Sequence, residues 1–196
     1  MSTRHVVGQR LPRHNAREQA QGKLVFGDDI KRSGMLYAKA LFSTEAHARI
    51  VKIDVEPARR MAGVEAVITA ADIPNNRFGM SHIDQPILAD DKVRYRGDAV
   101  AVVAAESIAI AERAAQAIQV TYDPLPAVFD PVEALKDGAP VIHEGSNLAA
   151  EMTIADGDVD TGFQEADLIV EESFSTPKVI HGQIEPHVAM TELDYD

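Results

Sequence analysis

The sequence predicts a mixed α+β fold, and three segments support that prediction. Ala99–Ala105 is a continuous apolar run, which is typical of a strand covered on both faces. An amphipathic helix is predicted directly after it, over residues 107–118, and residues 119–122 then return as a strand. Residues 49–55 alternate between apolar and polar side chains, which is the period of a half-buried strand.

Shorter elements are predicted before the strand–helix–strand unit. Residues 23–26 and 35–42 have the composition of two short strands separated by turn residues, and we expect them to pair. Pro57 suits the first turn of a short basic helix that ends near Gly63. Val64–Thr69 is predicted to be a further strand, and residues 75–91 are predicted to form a loop that carries His82.

Prolines interrupt the chain after that unit, at Pro124, Pro126, Pro131 and Pro140. Because proline lacks a backbone N–H group, this stretch predicts a domain boundary with one short helix over 132–136. Strands are predicted beyond it at 152–155, 168–174 and 188–193. A terminal strand without a partner leaves backbone groups unpaired. We therefore expect an incomplete second unit and an isolated chain that is unstable beyond about residue 147.

Composition argues against several classes of protein. Thirty-one acidic residues against nineteen basic ones give a formal net charge of -12, a field that repels nucleic-acid phosphates and anionic lipids. The sequence contains no cysteine, which excludes a disulfide, a thiolate zinc site and a cysteine-ligated iron–sulfur cluster within it. No segment has the apolar length of a secretion signal or a membrane span, so we predict a cytoplasmic protein that binds neither nucleic acid nor membrane.

The sequence lacks the common motifs of metal, phosphate and hydrolytic sites. The histidines show no H-x-x-x-H or H-E-x-x-H spacing, and the glycines form neither G-x-G-x-x-G nor a Walker loop. Residues 157–162 resemble a calcium loop only loosely, because no glutamate stands at the twelfth position from Asp156. A hydrolase with a His181–Glu185 dyad is disfavoured, because the chain has no cysteine and no serine in a G-x-S-x-G turn.

A series of short blocks runs through residues 22–128. They read GKLVFGDDI at 22–30, GML at 34–36, AHARI at 46–50, GVEAVITAADIP at 63–74, VRYRGDAVA at 93–101, VTY at 120–122 and LPAV at 125–128. In order and spacing these blocks resemble the xanthine dehydrogenase and aldehyde oxidase family. Departures at Asn15, at 19–21 and at 42–44 affect the subfamily more than the fold.

The resemblance implies a domain plan for a molybdopterin-binding large subunit. An irregular segment at 1–18 would precede an α/β hammerhead domain at 19–126. A linker at 127–146 would then lead into the first strands of a molybdopterin-binding domain at 147–196, which would be incomplete. The mixed fold predicted from the sequence patterns is consistent with this plan.

The resemblance also implies an activity. The family carries out oxidative hydroxylation of heteroaromatic, aromatic or aldehyde substrates with oxygen from water, using a molybdenum cofactor of the molybdopterin type. The 2Fe-2S clusters and FAD would lie on partner subunits, an iron–sulfur subunit and an FAD-binding subunit. The family's general base is a glutamate far downstream of the matched blocks, so this chain alone is expected to be inactive. The alternative is a non-catalytic truncated or split module that docks on the rest of such an enzyme.

One further segment bears on the cofactor. The HGQIEP sequence at 181–186 is similar to the family's H-x-x-[LM]-E-P segment, which makes His181, Gln183 and Glu185 candidate cofactor-binding residues. Pro186 favours an extended backbone at Glu185, so its carboxylate can be aimed at little entropic cost. The simpler interpretation is structural: Glu185 accepts backbone or histidine hydrogen bonds, His181 is a satisfied interior histidine, and Gln183 faces solvent. No residue is assigned a catalytic role or predicted to bind a metal.

Two other positions carry expectations of their own. His47, within AHARI, is expected to make a hydrogen bond at a strand edge. Xanthine dehydrogenase relatives have G-G-Q before the histidine that matches His181, whereas this chain has Pro177, Lys178 and Val179. A valine side chain cannot donate a hydrogen bond to an oxo ligand. We therefore expect a substrate other than xanthine.

Overall fold

The computed structural model describes residues 8–80 and 82–193, which fall into two compact units. The core unit is Gly34–Asp158, and the terminal unit combines the chain before residue 34 with the chain from Val159 onward. The strands of the core unit are β1 (Tyr37–Phe42), β2 (Ala48–Asp54), β3 (Val64–Thr69), β4 (Arg77–Phe78), β5 (Gln85–Pro86), β6 (Lys92–Val93), β7 (Ala99–Ala105) and β8 (Gln119–Pro124). The helices of the chain are α1 (Ala16–Ala20), α2 (Glu56–Arg59), α3 (Ile108–Ala117), α4 (Pro131–Ala134) and α5 (Val159–Glu165).

The strands form two three-stranded sheets and one hairpin. The first sheet has the order β1-β7-β3 and the second has the order β6-β2-β8, while β4 pairs with β5. Each of these pairings is antiparallel. Strands β7 and β8 flank α3 in the sequence but lie in different sheets. The strand–helix–strand unit therefore connects two sheets and is not a parallel crossover within one.

Small side chains allow α3 to pack closely on the first sheet. Ala101, Val103 and Ala105 of β7 form a buried cluster with three alanines of α3, Ala111, Ala114 and Ala115. The helix begins where the sequence predicts, because Ser107 Oγ accepts a hydrogen bond from the N–H of Ile110 at 3.3 Å. A second cluster is built from Ala48, Ala89, Val93 and Val100, and Ile53 and Val120 pack against both clusters.

Most predicted elements of the core unit are confirmed, with exceptions that have local causes. Strands β3 and β7 have the predicted bounds, and β2, α3 and β8 differ from theirs by one or two residues. The predicted pairing of 23–26 with 35–42 is wrong: residues 23–26 form no strand, and β1 pairs with β7. The predicted basic helix ends at Arg59, four residues before Gly63.

The segment predicted as a loop at 75–91 contains the β4–β5 hairpin, which precedes β6. The Asn76 side chain closes its base, since its amide donates to the Leu88 carbonyl at 2.8 Å and its Oδ1 accepts from the Leu88 N–H at 3.0 Å. A strand of two residues is too short to show an alternation of apolar and polar side chains, so the sequence did not indicate β4 and β5. His82 lies in the connection between β4 and β5.

The terminal unit has little regular structure. Residues 1–7 of the predicted irregular segment lie outside the described residues, and residues 16–20 form α1 instead of irregular chain. The strands predicted at 168–174 and 188–193 are absent, as is the one at 152–155 in the core unit. No described residue of the terminal unit is buried, and Phe174 and Ile180 are 91% and 94% exposed. Apolar residues of this kind form strands only when a neighbouring strand offers backbone partners.

Among residues 8–80 and 82–193, no helix is both long enough and apolar enough to cross a membrane.

We expect Gly63→Ala to lower the free energy of unfolding by about 2 kcal/mol, whereas Gly138→Ala should lower it by about 1 kcal/mol. Both glycines have a positive φ, +80° and +81°, which strains an alanine equally. A Cβ at Gly63 would also lie 2.8 Å from Ile110 Cδ1, whereas nothing lies within 4 Å of one at Gly138. Urea unfolding of both variants tests this, and equal losses would show that the contact with Ile110 has no effect.

Candidate functional site

The three candidate cofactor-binding residues lie on exposed, non-helical chain in the terminal unit. Within the described part of the chain, His181 and Gln183 make no hydrogen bond and no ion pair. Glu185 Oε1 accepts a hydrogen bond from the backbone N–H of Gly27 at 3.4 Å, a distance at the weak end of the range. The structure therefore gives Glu185 a backbone partner and leaves His181 and Gln183 facing solvent.

The partner of Glu185 belongs to the first of the sequence blocks, residues 22–30. Gly27 begins a single turn of 3-10 helix, Gly27–Asp29, and Asp29 Oδ2 accepts a hydrogen bond from the N–H of Phe26 at 3.0 Å. Gly27 also lies beside Val188, since a Cβ at Gly27 would be 3.4 Å from Val188 Cβ, an ordinary van der Waals distance. The two blocks at 22–30 and 181–186 therefore meet within the terminal unit, a contact that the sequence did not predict.

The chemistry of these side chains fits a cofactor held by hydrogen bonds. The imidazole of His181 and the amide of Gln183 offer N–H donors to solvent, which suit the oxygen acceptors of a pterin or a phosphate. An ionised Glu185 carboxylate is an acceptor only and suits the N–H groups of a pterin. Within the described ranges, no three His, Cys, Asp or Glu side chains come together as metal ligands.

A second polar feature of the core unit is the junction around His47. His47 Nδ1 lies 2.6 Å from the carbonyl oxygen of Pro126, and the N–H of Leu125 donates to the His47 carbonyl at 2.8 Å. The expected hydrogen bond of His47 is thus confirmed, and it joins the AHARI and LPAV blocks. Since a carbonyl only accepts, Nδ1 carries the proton, and the buried Nε2 has no partner among the described residues.

An open cleft of about 420 Å³ lies beside His47. Its wall carries charges of both signs, from Arg49, Lys92, Asp91 and Glu144, and an apolar section from Pro140 and Val141. Mixed charges around an open cleft favour neither an anion nor a cation, so this cleft is not a strong candidate for the cofactor. The sequence did not indicate it, because its residues come from four separated segments.

A buried polar cluster lies where the VRYRGDAVA block meets the end of β1. Asp98 Oδ2 accepts from the N–H of Arg94 at 3.0 Å, and the Asp98 carbonyl accepts from the N–H of Ser43 at 2.8 Å. The N–H of Gly97 donates to the Ser43 carbonyl at 2.9 Å. Burial raises the pKa of the Asp98 carboxyl, and the bond from Arg94 offsets only part of that effect. The aspartate of this block thus fixes a loop of the fold.

Asp98→Asn should change how the stability of the chain depends on pH. A carboxyl whose pKa is raised on folding adds stability below its unfolded pKa of about 4, and that stability is lost as the pH rises through the folded pKa. The new amide oxygen can still accept from Arg94. We therefore expect the stability of Asp98→Asn relative to the unmodified chain to increase from about pH 4 to pH 7. Urea unfolding at a series of pH values measures this, with Asp123→Asn on β8 as the exposed control.

An unchanged difference between Asp98→Asn and the unmodified chain at every pH would contradict the assigned burial effect. If Asp98→Asn instead lost stability relative to the unmodified chain as the pH rose, folding would lower the pKa of Asp98 and not raise it.

Comparison with known proteins gives two family matches that follow one another along the chain. Residues 21–126 match the family model described as aldehyde oxidase and xanthine dehydrogenase, a/b hammerhead domain. Residues 142–196 match the model described as molybdopterin cofactor-binding domain.

Individual relatives agree with these matches. The chain is 39% identical to the nicotinate dehydrogenase large molybdopterin subunit of Eubacterium barkeri, over 96% of this chain and 45% of that protein. It is 32% identical to the xanthine dehydrogenase molybdenum-binding subunit of Escherichia coli O157:H7, over 94% of this chain and 26% of that protein. Quinoline 2-oxidoreductase from Pseudomonas putida 86 superposes with a TM-score of 0.63 at 40% identity, over 69% of this chain and 18% of that one. The chain thus spans less than half the length of the relatives that it matches.

Proposed function

The chain belongs to the aldehyde oxidase and xanthine dehydrogenase family, and on that premise we propose that it forms the amino-terminal part of the large subunit of a molybdenum-cofactor hydroxylase. The observation that carries this proposal is the succession of two matches, a hammerhead domain and then a molybdopterin-binding domain, along one chain.

The proposed domain plan places the hammerhead domain at 19–126, a linker at 127–146, and the start of the molybdopterin-binding domain at 147–196. Asn147 holds the end of the linker in place. Its amide donates to the carbonyls of Ala134 and Pro140 at 2.9 and 2.8 Å, and its Oδ1 accepts from the N–H of Ile142 at 2.9 Å. These three hydrogen bonds of the Asn147 side chain support an ordered linker and not a flexible one.

The proposed roles of the three candidate residues differ. His181 and Gln183 would donate hydrogen bonds to the cofactor, since both side chains face solvent. Glu185 would position the 181–186 segment through its bond to Gly27. The bound cofactor would supply the electron-accepting centre at which a C–H bond of the substrate becomes a C–OH bond. No residue of this chain is proposed as the general base.

The proposed substrate is a heteroaromatic ring other than xanthine. The observation against xanthine is that Val179 stands where xanthine dehydrogenase relatives have a glutamine. The relatives are named for nicotinate and quinoline as well as for xanthine, so their names support a heteroaromatic ring without selecting one. Partner subunits with iron–sulfur clusters and FAD would carry the electrons away. Their participation is supported by the absence of cysteine from this chain and by the naming of both curated relatives as subunits.

The test is turnover by the complete enzyme in water enriched in ¹⁸O. Nicotinate, quinoline, xanthine and an aromatic aldehyde are supplied separately, and each product is examined by mass spectrometry. We expect a hydroxylated heteroaromatic product that carries ¹⁸O. An unlabelled product would contradict hydroxylation with water-derived oxygen. Turnover of xanthine or of the aldehyde in preference to nicotinate and quinoline would contradict the proposed substrate.

A further inference from the structure

One face of the first sheet is apolar and uncovered. Helix α3 packs against the face that carries Ala101, Val103 and Ala105, and Lys39 on that face pairs with Glu112 of α3 at 2.9 Å. The paired positions of the opposite face, which we call the open face, carry no charged side chain. It carries Ala38, Ala40, Ala66, Ile68, Val102 and Ala104.

The strand register arranges the open face in two rows. Ala40, Val102 and Ile68 lie side by side across the three strands, and Ala38, Ala104 and Ala66 form the next row. The middle residues of both rows belong to β7, which has a strand on each side. Val102 and Ala104 are nevertheless partly exposed, while Ala101 and Val103 beside them are fully buried. Within the core unit, therefore, nothing covers these two middle residues fully.

Such a face is unusual for a sheet that meets water. Antiparallel sheets with one solvated face alternate apolar and polar residues along each strand, whereas every residue of β7 is apolar. The sequence predicts a strand covered on both faces, and within the core unit only the α3 side is covered. An apolar sheet face without polar residues indicates a surface that another part of the protein buries.

We propose that the open face is covered by the part of the large subunit that lies outside this chain, an inference that rests on the proposed function. The size of the face argues for a covalently connected occupant. Six residues are far fewer than the roughly 20–30 residues a side of a stable interface between free proteins. A segment of the same polypeptide needs less area, because the linkage gives it an effective concentration on the order of millimolar. The relatives leave room for it, since this chain spans 45% and 26% of their lengths.

The side chains of the open face also define the chemistry of its occupant. Four of the six are alanines, so most of the open face carries short side chains, and only Val102 and Ile68 are larger. Close packing there requires large apolar side chains from the covering segment. The occupant is therefore an apolar face of a helix or sheet, without a charge at its centre.

Single cysteines test this inference, because the chain has none of its own. Ala38→Cys places a thiol on the open face, and Ala109→Cys places one on the exposed side of α3 as the control. Each variant is made in this chain alone and in the complete large subunit without partner subunits. Maleimide modification of the peptide that carries the thiol is followed by mass spectrometry. We expect comparable rates in the chain alone, and in the large subunit a drop of at least about tenfold for Ala38→Cys but not for Ala109→Cys.

Equal rates for Ala38→Cys in the chain and in the large subunit would overturn the inference. Protection of the thiol at position 38 that appears only after the iron–sulfur subunit is added would also overturn it. Protection in the chain alone that increases with the chain concentration would overturn it too, because it would indicate a second copy as the occupant. Molybdenum content is measured on the same preparations. A molybdenum-loaded subunit with a reactive thiol at position 38 would refute this inference and leave the proposed function standing. A protected thiol in a subunit that never binds molybdenum would refute the proposed function.

Discussion

Val103→Ala should lower the free energy of unfolding of the chain by about 2–3 kcal/mol. Val103 is in the middle of β7, fully buried, and pairs with Lys39 on one side and Val67 on the other. Its side chain belongs to the cluster between the first sheet and α3, so truncation leaves a cavity among groups that have little freedom to collapse.

The matched control for that variant is Val51→Ala on β2. Val51 is 64% exposed, so its truncation should change the free energy of unfolding by no more than about 0.5 kcal/mol. Urea unfolding followed by circular dichroism measures both. Similar losses for the two variants would contradict the assignment of the core to the α3 side of the first sheet.

Trypsin should cleave the isolated chain at Lys178 at least about 100-fold faster than at Arg113 of α3. Lys178 lies on exposed chain without regular structure and is the only lysine or arginine in residues 148–193. Arg113 lies in a helix that the core cluster holds, so cleavage there requires the core unit to open. Time-resolved mass spectrometry of the digest gives both rates.

Two results would contradict that expectation. Cleavage at Arg113 before Lys178 would show that the core unit is the less stable part of the chain. Complete resistance of Lys178 would show that residues 148–193 pack in this chain without the rest of the subunit.

The core unit could be predicted from the sequence because its patterns are local. The apolar run of β7, the serine before α3 and the alternation of β2 each specify an element by themselves, and the structure contains all three. The pairing of β1 with β7 could not be predicted, because strand partners depend on contacts between distant residues. The hairpin of β4 and β5 depends on the side chain of one asparagine, Asn76, which no periodicity reveals.

The structure of residues 147–193 could not be predicted from local sequence patterns. Their apolar segments have the composition of strands, yet among the described residues no strand pairs with them, and composition alone cannot supply a partner. The candidate residues His181, Gln183 and Glu185 were predicted from a resemblance of sequence. The contact between Glu185 and Gly27 was not predicted, because the two residues are 158 positions apart.

The motifs that identify the family serve mainly as structural junctions in the core unit. AHARI meets LPAV through His47 and Pro126, and the aspartate of VRYRGDAVA fixes the loop beside Ser43. In the core unit these blocks therefore hold strands and loops together.

We propose that this chain is one part of a molybdenum-cofactor subunit and needs the rest of that subunit to hold the cofactor. The most direct test of this claim is the molybdenum content per polypeptide, measured by mass spectrometry of the metal, for the chain alone and for the complete large subunit. We predict about one molybdenum atom per complete subunit and essentially none for the chain alone. Stoichiometric molybdenum on the isolated chain, or a complete subunit that binds none, would contradict the claim.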